Sequence, residues 1–429
     1  MKKLLIVSPH FPPINAPDHQ RVRMMLPYFQ ECGWKPTVLC VAAKHIEANH
    51  DTTLLDTLPD DVSIEYVEAL PAIRTPFFGF GNLSMRSSSF LKNAGNRLLA
   101  TETFEAVFFS TTQVGVLNLG PYWKAKWNVP YFIDIQDPIY NTFSYPSGAR
   151  PPGGRLKYFL AQTQAKRIER TALPGASHIV TVTQDYETDL KQRLPQLTHV
   201  PFTEMPFPFS NRDFNLAGTL HQNKSSVSID SSAQNFISAG RGGSDLTFAH
   251  SAFFKALNQL DVKTPNSVRK IQIYFLGTRY DQSQDKTIDT SLLSRALQTQ
   301  VHEYTQRVPY LETLSYLKQS SLNLVFGSTD ERYSASKIMP VLSAGQPFLA
   351  LLHKNSRATA LLKQLCPEGL ISFDQFTNLE NLSSDIFTWL IKFLNSQLEF
   401  NSYRSHLERF EAKEATRSFC ELLDTTTSS

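Results

Sequence analysis

Short apolar runs without alternation recur along both halves of the chain, and stretches with helical periodicity separate them. Such runs are typical of parallel strands covered on both faces. The first half has candidate strands at residues 3–8, 35–41, 63–68, 106–110, 130–135 and 178–183. The second half has them at residues 235–239, 270–277, 322–326 and 347–352. Alternating strands and helices indicate an α/β fold with parallel sheets.

The length of 429 residues is more than one hydrophobic core usually serves, which predicts two domains. After Phe202 the sequence becomes rich in Pro, Ser and Asn and loses its periodicity, as expected of a linker. We therefore predict the following division: an N-terminal Rossmann-like domain (1–205), a linker with a surface loop (206–232), a C-terminal Rossmann-like domain (233–383) and C-terminal helices (384–429).

Composition and residue spacing argue against several classes of function but do not identify one. A net charge of +3 does not suggest a nucleic-acid partner. The four cysteines have no metal-site or Cys-x-x-Cys spacing, and we interpret them as reduced thiols. No set of His, Asp or Glu has the spacing of metal ligands, so no metal or other cofactor is expected. No apolar run approaches 18 residues, so no transmembrane helix is expected either.

A glycine-rich turn follows the strand at 235–239 and precedes a helix. Gly240, Gly242 and Gly243 would let the backbone approach a phosphate, and Arg241 would add a cation beside the helix N-terminus. The alternative is a tight turn that binds no ligand.

A second candidate phosphate site precedes the helix predicted at 336–344. Ser334 or Ser336 can cap this helix, which leaves backbone amides and Lys337 for a phosphate. The alternative is an ordinary capped helix. Both turns lie at carboxyl ends of predicted strands, where open α/β sheets bind their ligands, and Gly277 ends another such strand.

In the first half, an apolar strand places Asp134 and Asp137 at its carboxyl end. Carboxylates there could hold an acceptor hydroxyl or take its proton. The alternative is that Asp137 caps the turn before Pro138. His10 follows the first strand and is the histidine best placed for a site, although a plain loop position explains it as well.

Several segments resemble family-4 glycosyltransferases in the order in which that family has them. Residues 9–41 carry the Pro-Pro loop, the helix Arg and the Gly-Trp turn, here Pro12, Pro13, Arg21, Gly33 and Trp34. IDIQDP is similar to the family's D-x-R-D-x-W stretch, and residues 178–195 to its strand and helix. Residues 336–362 resemble the family's donor-binding segment most specifically.

The resemblance implies a GT-B fold, in which two Rossmann-like domains face each other across a deep cleft. It also implies a nucleotide-sugar donor in the C-terminal domain, a glycan or lipid-linked acceptor in the N-terminal domain, and transfer with retention and without metal. The donor-binding residues would be Gly240, Arg241, Gly242, Gly243, Gly277, Ser334, Ser336 and Lys337, with Arg241 and Lys337 neutralising the departing diphosphate. The acceptor-side residues would be His10, Pro13, Asn15 and Arg21. The catalytic carboxylates would be Asp137, which orients the acceptor hydroxyl, and Asp134.

The sequence departs from the family pattern at donor positions. Pro340 stands where the family has the Glu that holds the donor ribose. Asn15 and Ala16 replace a glycine pair, and the usual Lys is absent near Asp245. A catalytically silent homologue that binds a glycan or a partner enzyme is therefore an alternative. A sugar-nucleotide epimerase on the same fold is another.

The resemblance places the enzyme in bacterial polysaccharide assembly, in the cytoplasm, with peripheral contact at the inner face of the plasma membrane. Residues 74–97 suit such contact, because four cations (Arg74, Arg86, Lys92 and Arg97) stand among several Phe residues and no acidic residue interrupts them. The alternative is that these Phe residues pack in the core.

Overall fold

The computed structural model describes residues 1–71, 82–140, 155–220, 226–279, 283–331, 337–400 and 403–427. The chain forms two compact units. The first comprises Met1–Pro208 together with Phe410–Ser429, and the second comprises Phe209–Arg409.

The first unit alternates strands and helices and is closed by the last helix of the chain. Its strands are β1 (Lys2–Val7), β2 (Trp34–Val41), β3 (Ser63–Val67), β4 (Ala106–Ser110), β5 (Tyr131–Ile135), β6 (His178–Thr181) and β7 (Phe202–Glu204). Its helices are α1 (Gln20–Met25), α2 (Leu83–Thr101), α3 (Leu119–Trp127), α4 (Arg155–Ala172) and α5 (Gln184–Arg193), with α15 (Ala412–Thr427) added from the C-terminus.

All seven strands are parallel, in the order β3-β2-β1-β4-β5-β6-β7. The chain winds outward in both directions from β1, as in a Rossmann fold. In the register, Val7 lies opposite Leu39 on β2 and Phe109 on β4. The carboxyl ends of these central strands therefore lie together at one edge of the sheet.

Both faces of this sheet are buried, which explains why its strands show no alternation. Leu5 and Val7 pack in one core cluster, whereas Leu4 and Ile6 pack in the cluster on the other face. Helix α15 covers this second face, where the Phe419 ring contacts three other buried Phe rings, those of Phe29, Phe108 and Phe132.

The second unit contains a second parallel sheet. Its strands are β8 (Gln234–Ala239), β9 (Ile271–Leu276), β10 (Val301–Tyr304), β11 (Leu322–Phe326), β12 (Phe348–His353) and β13 (Leu370–Phe373). Its helices are α6 (Asn211–Leu220), α7 (Thr247–Lys263), α8 (Pro265–Val268), α9 (Arg295–Gln298), α10 (Tyr310–Gln319), α11 (Ile338–Ala344), α12 (Arg357–Leu365), α13 (Leu379–Leu394) and α14 (Arg404–Leu407). The strand order is β10-β9-β8-β11-β12-β13, again doubly wound from the first strand.

The predicted α/β fold with two Rossmann-like sheets is confirmed. Two details differ from the sequence analysis. Helix α6 lies within the stretch 206–232 that was expected to be linker and loop, and it buries Phe214 and Ala217. The tail is not one helical block, because α13 belongs to the second unit and α15 to the first.

Within the described ranges, no helix is both long and apolar enough to cross a membrane.

Candidate functional sites

The glycine-rich turn of the second unit connects β8 to the short turn that precedes α7. Gly240 and Gly243 have φ angles of 124° and 152°, which side-chain-bearing residues rarely adopt. The N–H groups of Gly240 and Gly242 donate to the carbonyls of Leu276 and Thr278, at 2.9 and 2.8 Å. These two N–H groups already have partners, so Gly240 and Gly242 contribute to the shape of the turn, and side chains supply its charge.

Arg241 projects from this turn but is held by a carboxylate. Its two terminal nitrogens donate to the two oxygens of Asp245 at 2.9 and 2.8 Å. The hydrogen bond from Arg241 is the main reason that the pKa of Asp245 lies below its ordinary value, so this carboxylate is charged. The glycine-rich motif predicts the place of Arg241 at the turn, but no sequence pattern predicts its ion pair with Asp245.

Lys337 reaches the same turn from the start of α11. A Cβ atom built on Gly240 would lie 3.8 Å from the ammonium nitrogen of Lys337, so the amine lies directly beside the turn. Burial, followed by repulsion from Arg241, lowers the pKa of Lys337 to about 8, although Asp245 acts in the opposite direction. None of the described side chains accepts a hydrogen bond from this ammonium group.

Two turns that are about 100 residues apart in sequence therefore meet at one place. Of the other predicted donor residues, Ser334 and Ser336 lie outside the described residues. Gly277 is a turn residue with φ of 71°, and its N–H already donates to the Tyr304 carbonyl at 2.8 Å. Its contribution, like that of Gly240, is to the shape of the backbone.

Pro340 lies in the first turn of α11, three residues after the N-cap Lys337. A helix tolerates Pro there, because N–H groups of the first turn have no partner within the helix. The fold is thus intact at the position where family 4 has its ribose-binding Glu, and this side chain offers no carboxylate.

The first unit contains a histidine–carboxylate pair that the sequence analysis missed in part. His10 was named, but its partner Asp18 was not. The Nδ1 atom of His10 lies 3.0 Å from both oxygens of Asp18. Asp18 is buried and also accepts hydrogen bonds from Thr111 and Thr112.

Burial works to raise the pKa of Asp18, but the hydrogen bond and positive field of His10 hold it below its ordinary value. Asp18 is therefore a charged anchor. It fixes the His10 ring by Nδ1, which leaves Nε2 as the ring atom for an external partner. No sequence motif pairs the two residues, because the contact depends on how the loop folds.

Arg21 and Asp134 were predicted to act on the acceptor and in catalysis, but the structure assigns them to the interior. Both side chains are fully buried, and the Arg21 Nε donates to Asp134 at 2.9 Å. Arg21 also donates to the carbonyls of Met205 and Pro206. Neither side chain is exposed to solvent, so the pair contributes to the interior of the first unit, and the acceptor-side role of Arg21 and the catalytic role of Asp134 stay predictions.

Asp137, in contrast, is exposed just beyond the end of β5. The surrounding protein removes part of the hydration of the Asp137 carboxyl, which raises its pKa, and repulsion from the carboxylates of Asp18 and Asp134 raises this pKa further. A carboxyl group with a raised pKa in the field of Asp18 is chemically suited to exchange a proton or a hydrogen bond with a hydroxyl.

Pro13 and Asn15 lie in the loop after β1, and both are half-buried. The Pro13 carbonyl accepts from the Asp51 amide at 2.7 Å, and the Asn15 amide donates to the Asn49 carbonyl at 2.8 Å. The loop is therefore fixed by backbone pairing. An acceptor-side role for these two residues stays a prediction.

The basic segment predicted to contact a membrane, residues 74–97, does not expose all of its cations. Arg86 is buried and donates to the carbonyls of Leu70 and His45, at 2.8 and 3.1 Å, so its prediction as a lipid-facing cation is wrong. Lys92 lies over the Tyr122 ring and Arg97 pairs with Glu65. Arg74 and the Phe residues at 77, 78 and 80 lie outside the described residues.

No group of three or more His, Cys, Asp or Glu side chains in the described ranges is arranged to hold a metal ion. Two doubly wound Rossmann-like sheets in one chain are the sheet arrangement of the GT-B fold, and the chain matches solved structures of that fold.

Comparison with solved structures shows the same fold over the whole chain. Sucrose-phosphate synthase from Thermosynechococcus elongatus aligns with a TM-score of 0.61 at 10% identity, covering 100% of both chains. A UDP-forming α,α-trehalose-phosphate synthase from Burkholderia xenovorans, in complex with glucose-6-phosphate, has a TM-score of 0.61 at 10% identity and covers 98% of this chain and 100% of its own. A putative UDP-N-acetylglucosamine 2-epimerase from Listeria monocytogenes has a TM-score of 0.58 at 12% identity, and the alignment covers 100% of this chain and 97% of the epimerase chain.

The sequence matches no protein-family model. A search of curated proteins finds no match either. The assignment to family 4 therefore stays a prediction.

Proposed function

We propose that this protein is a glycosyltransferase that moves a sugar from a nucleotide-sugar to a hydroxyl of a glycan or lipid-linked acceptor. One observation carries the proposal: the ammonium group of Lys337, which is hydrogen bonded to no described side chain, lies beside the Gly240 turn, next to Arg241. This turn follows a central parallel strand, where α/β sheets bind ligands.

The electrostatics of the turn favour an anion. A half-buried ammonium group that is hydrogen bonded to no described side chain is unfavourable, as the lowered pKa of Lys337 indicates in spite of the Asp245 carboxylate nearby. A phosphate oxygen would relieve that cost and accept a hydrogen bond from the ammonium. As the sugar is transferred, negative charge grows on the departing phosphate, and a cation already in position stabilises that charge.

On the acceptor side, His10 and Asp137 are the side chains that we assign to the hydroxyl. The Nε2 atom of His10, oriented through Asp18, would accept the hydroxyl hydrogen bond, and Asp137 would orient the hydroxyl. Retention of anomeric configuration and independence from metal follow from the resemblance. Product analysis by NMR tests retention, and an inverted product would indicate that His10 removes the proton as a base.

Bacterial polysaccharide assembly is the setting that the resemblance implies. Cytoplasmic location, with peripheral contact at the inner face of the plasma membrane, follows from the same source. Flotation with anionic liposomes measures that contact, and its absence would leave the transferase proposal standing.

The deciding experiment is calorimetric titration with 5′-mono- and diphosphates of uridine, guanosine, cytidine and adenosine. We expect at least one to bind, and Lys337→Met to weaken it about 10- to 150-fold, the range for a hydrogen bond to a charged group. Lys270→Met is the matched control, because Lys270 is an exposed lysine elsewhere in the second unit. It should leave the affinity unchanged.

Pro340 favours a second candidate, the catalytically silent homologue. If none of the eight nucleotides binds, the transferase proposal fails and the silent homologue remains. If a nucleotide-sugar is converted to its epimer without an acceptor, the protein is an epimerase, the activity for which the Listeria monocytogenes protein is named.

A further inference from the structure

Asp245 does more at the glycine-rich turn than fill the position of a missing Lys. Its carboxylate binds both terminal nitrogens of Arg241, and its backbone carbonyl accepts from the Thr329 amide at 3.2 Å. The residue thus lies between the turn after β8 and the segment after β11. A phosphate that approaches Arg241 meets the negative charge of this carboxylate, which already takes one N–H from each terminal nitrogen.

The charge at the turn is consequently small. Among the described residues, Arg241, Lys337 and Asp245 have their charged groups at the turn, and the Glu303 carboxylate lies just behind it, hydrogen bonded to Thr278 and Thr287 beside Gly242. The nearby His250 is neutral, because burial and then Lys337 lower its pKa to about 3. A sugar joined through one phosphodiester carries one negative charge, whereas a sugar joined through a diphosphate carries two.

We propose that Asp245 determines donor specificity. Because its carboxylate pairs with Arg241 and offsets the positive charge, the site binds a sugar attached to a nucleoside monophosphate in preference to a sugar attached to a nucleoside diphosphate. The inference rests on the proposed function and names its donor class. The Lys337 ammonium group would bind the single phosphate. A second phosphate would lie next to Arg241, where the Asp245 carboxylate repels the phosphate.

The test compares the mono- and diphosphate of the same nucleoside, by calorimetry, in the wild type and in Asp245→Asn. The Asn side chain keeps the size of Asp and removes its charge. We expect the wild type to bind the monophosphate at least as tightly as the diphosphate. In Asp245→Asn we expect diphosphate affinity to rise tenfold or more and monophosphate affinity to change less than threefold.

Asp385→Asn is the control for removal of one negative charge, because Asp385 is exposed on α13 of the same unit. It should leave the ratio of the two affinities unchanged. A purely structural effect of Asp245→Asn would weaken both ligands together. The gain for the diphosphate should also shrink as salt is raised, because the interaction is between charges.

The inference is overturned if the wild type binds the diphosphate more than tenfold tighter than the monophosphate. It is also overturned if Asp245→Asn shifts both affinities equally or neither. In these cases a nucleotide still binds, so the proposed function survives. If no nucleotide binds to the wild type, the proposed function fails and the inference fails with it.

Discussion

The affinity for a nucleotide phosphate should fall as the pH rises through about 8, because the ammonium group of Lys337 loses its proton there. The sign follows from linkage. A bound phosphate stabilises the charged amine and so raises the pKa of Lys337. Binding therefore takes up a proton above pH 8, and affinity is highest below that pH.

The magnitude follows from the lowered pKa of Lys337. With a pKa of about 8, the amine is about 90% protonated at pH 7 and about 10% at pH 9. Affinity should thus fall about tenfold between these two pH values, or roughly 1.4 kcal/mol. The nucleotide itself contributes little over this range, because the second phosphate pKa is near 6.

The assay is calorimetric titration at pH 7, 8 and 9, in buffers of different ionisation enthalpy so that proton uptake is measured directly. Lys337→Arg is the matched variant, because a guanidinium stays charged throughout this range and its affinity should not change with pH. The reasoning is refuted if wild-type affinity is constant from pH 7 to 9. It is equally refuted if Lys337→Arg shows the same decline as the wild type.

Two further predictions concern the stability of the first unit. Asp134→Ala should destabilise it by about 3–5 kcal/mol in urea unfolding, because Arg21 would be left buried without its carboxylate partner. Adding Arg21→Met should restore part of this loss. An unchanged unfolding midpoint in Asp134→Ala would contradict the structural role of the pair. Phe419→Ala should lower the free energy of unfolding by about 3–5 kcal/mol, because its buried ring packs α15 against three Phe rings of the first unit. If α15 alone becomes protease-sensitive in this variant and the rest of the unit is as stable as before, the helix is not part of that core.

The fold could be predicted largely from apolar runs. The strands at 106–110 and 322–326 have the predicted limits, since each is buried on both faces and ends sharply. Three strands were missed: β7, β10 and β13. Each has three or four residues, lies toward or at an edge of its sheet and includes polar or half-buried positions, so no periodicity distinguishes it from a loop.

The site was predictable where local sequence determines it and not where distant residues meet. The turn at 240–243 follows from its glycines, which the backbone conformation requires. The pairing of Arg21 with Asp134 joins residues 113 positions apart, and a sequence pattern cannot show which of two neighbouring carboxylates lies inside. Asp134 lies within the buried strand β5 and its side chain is fully buried, whereas Asp137 lies three residues further on and is exposed.

The most direct test of the central claim is a crystal structure of the protein with a bound nucleoside 5′-phosphate. The account predicts a phosphate oxygen within hydrogen-bond distance of the Lys337 ammonium group, against the turn at Gly240. A nucleotide bound elsewhere, with no phosphate contact to Lys337 or to the 240–243 turn, would contradict it.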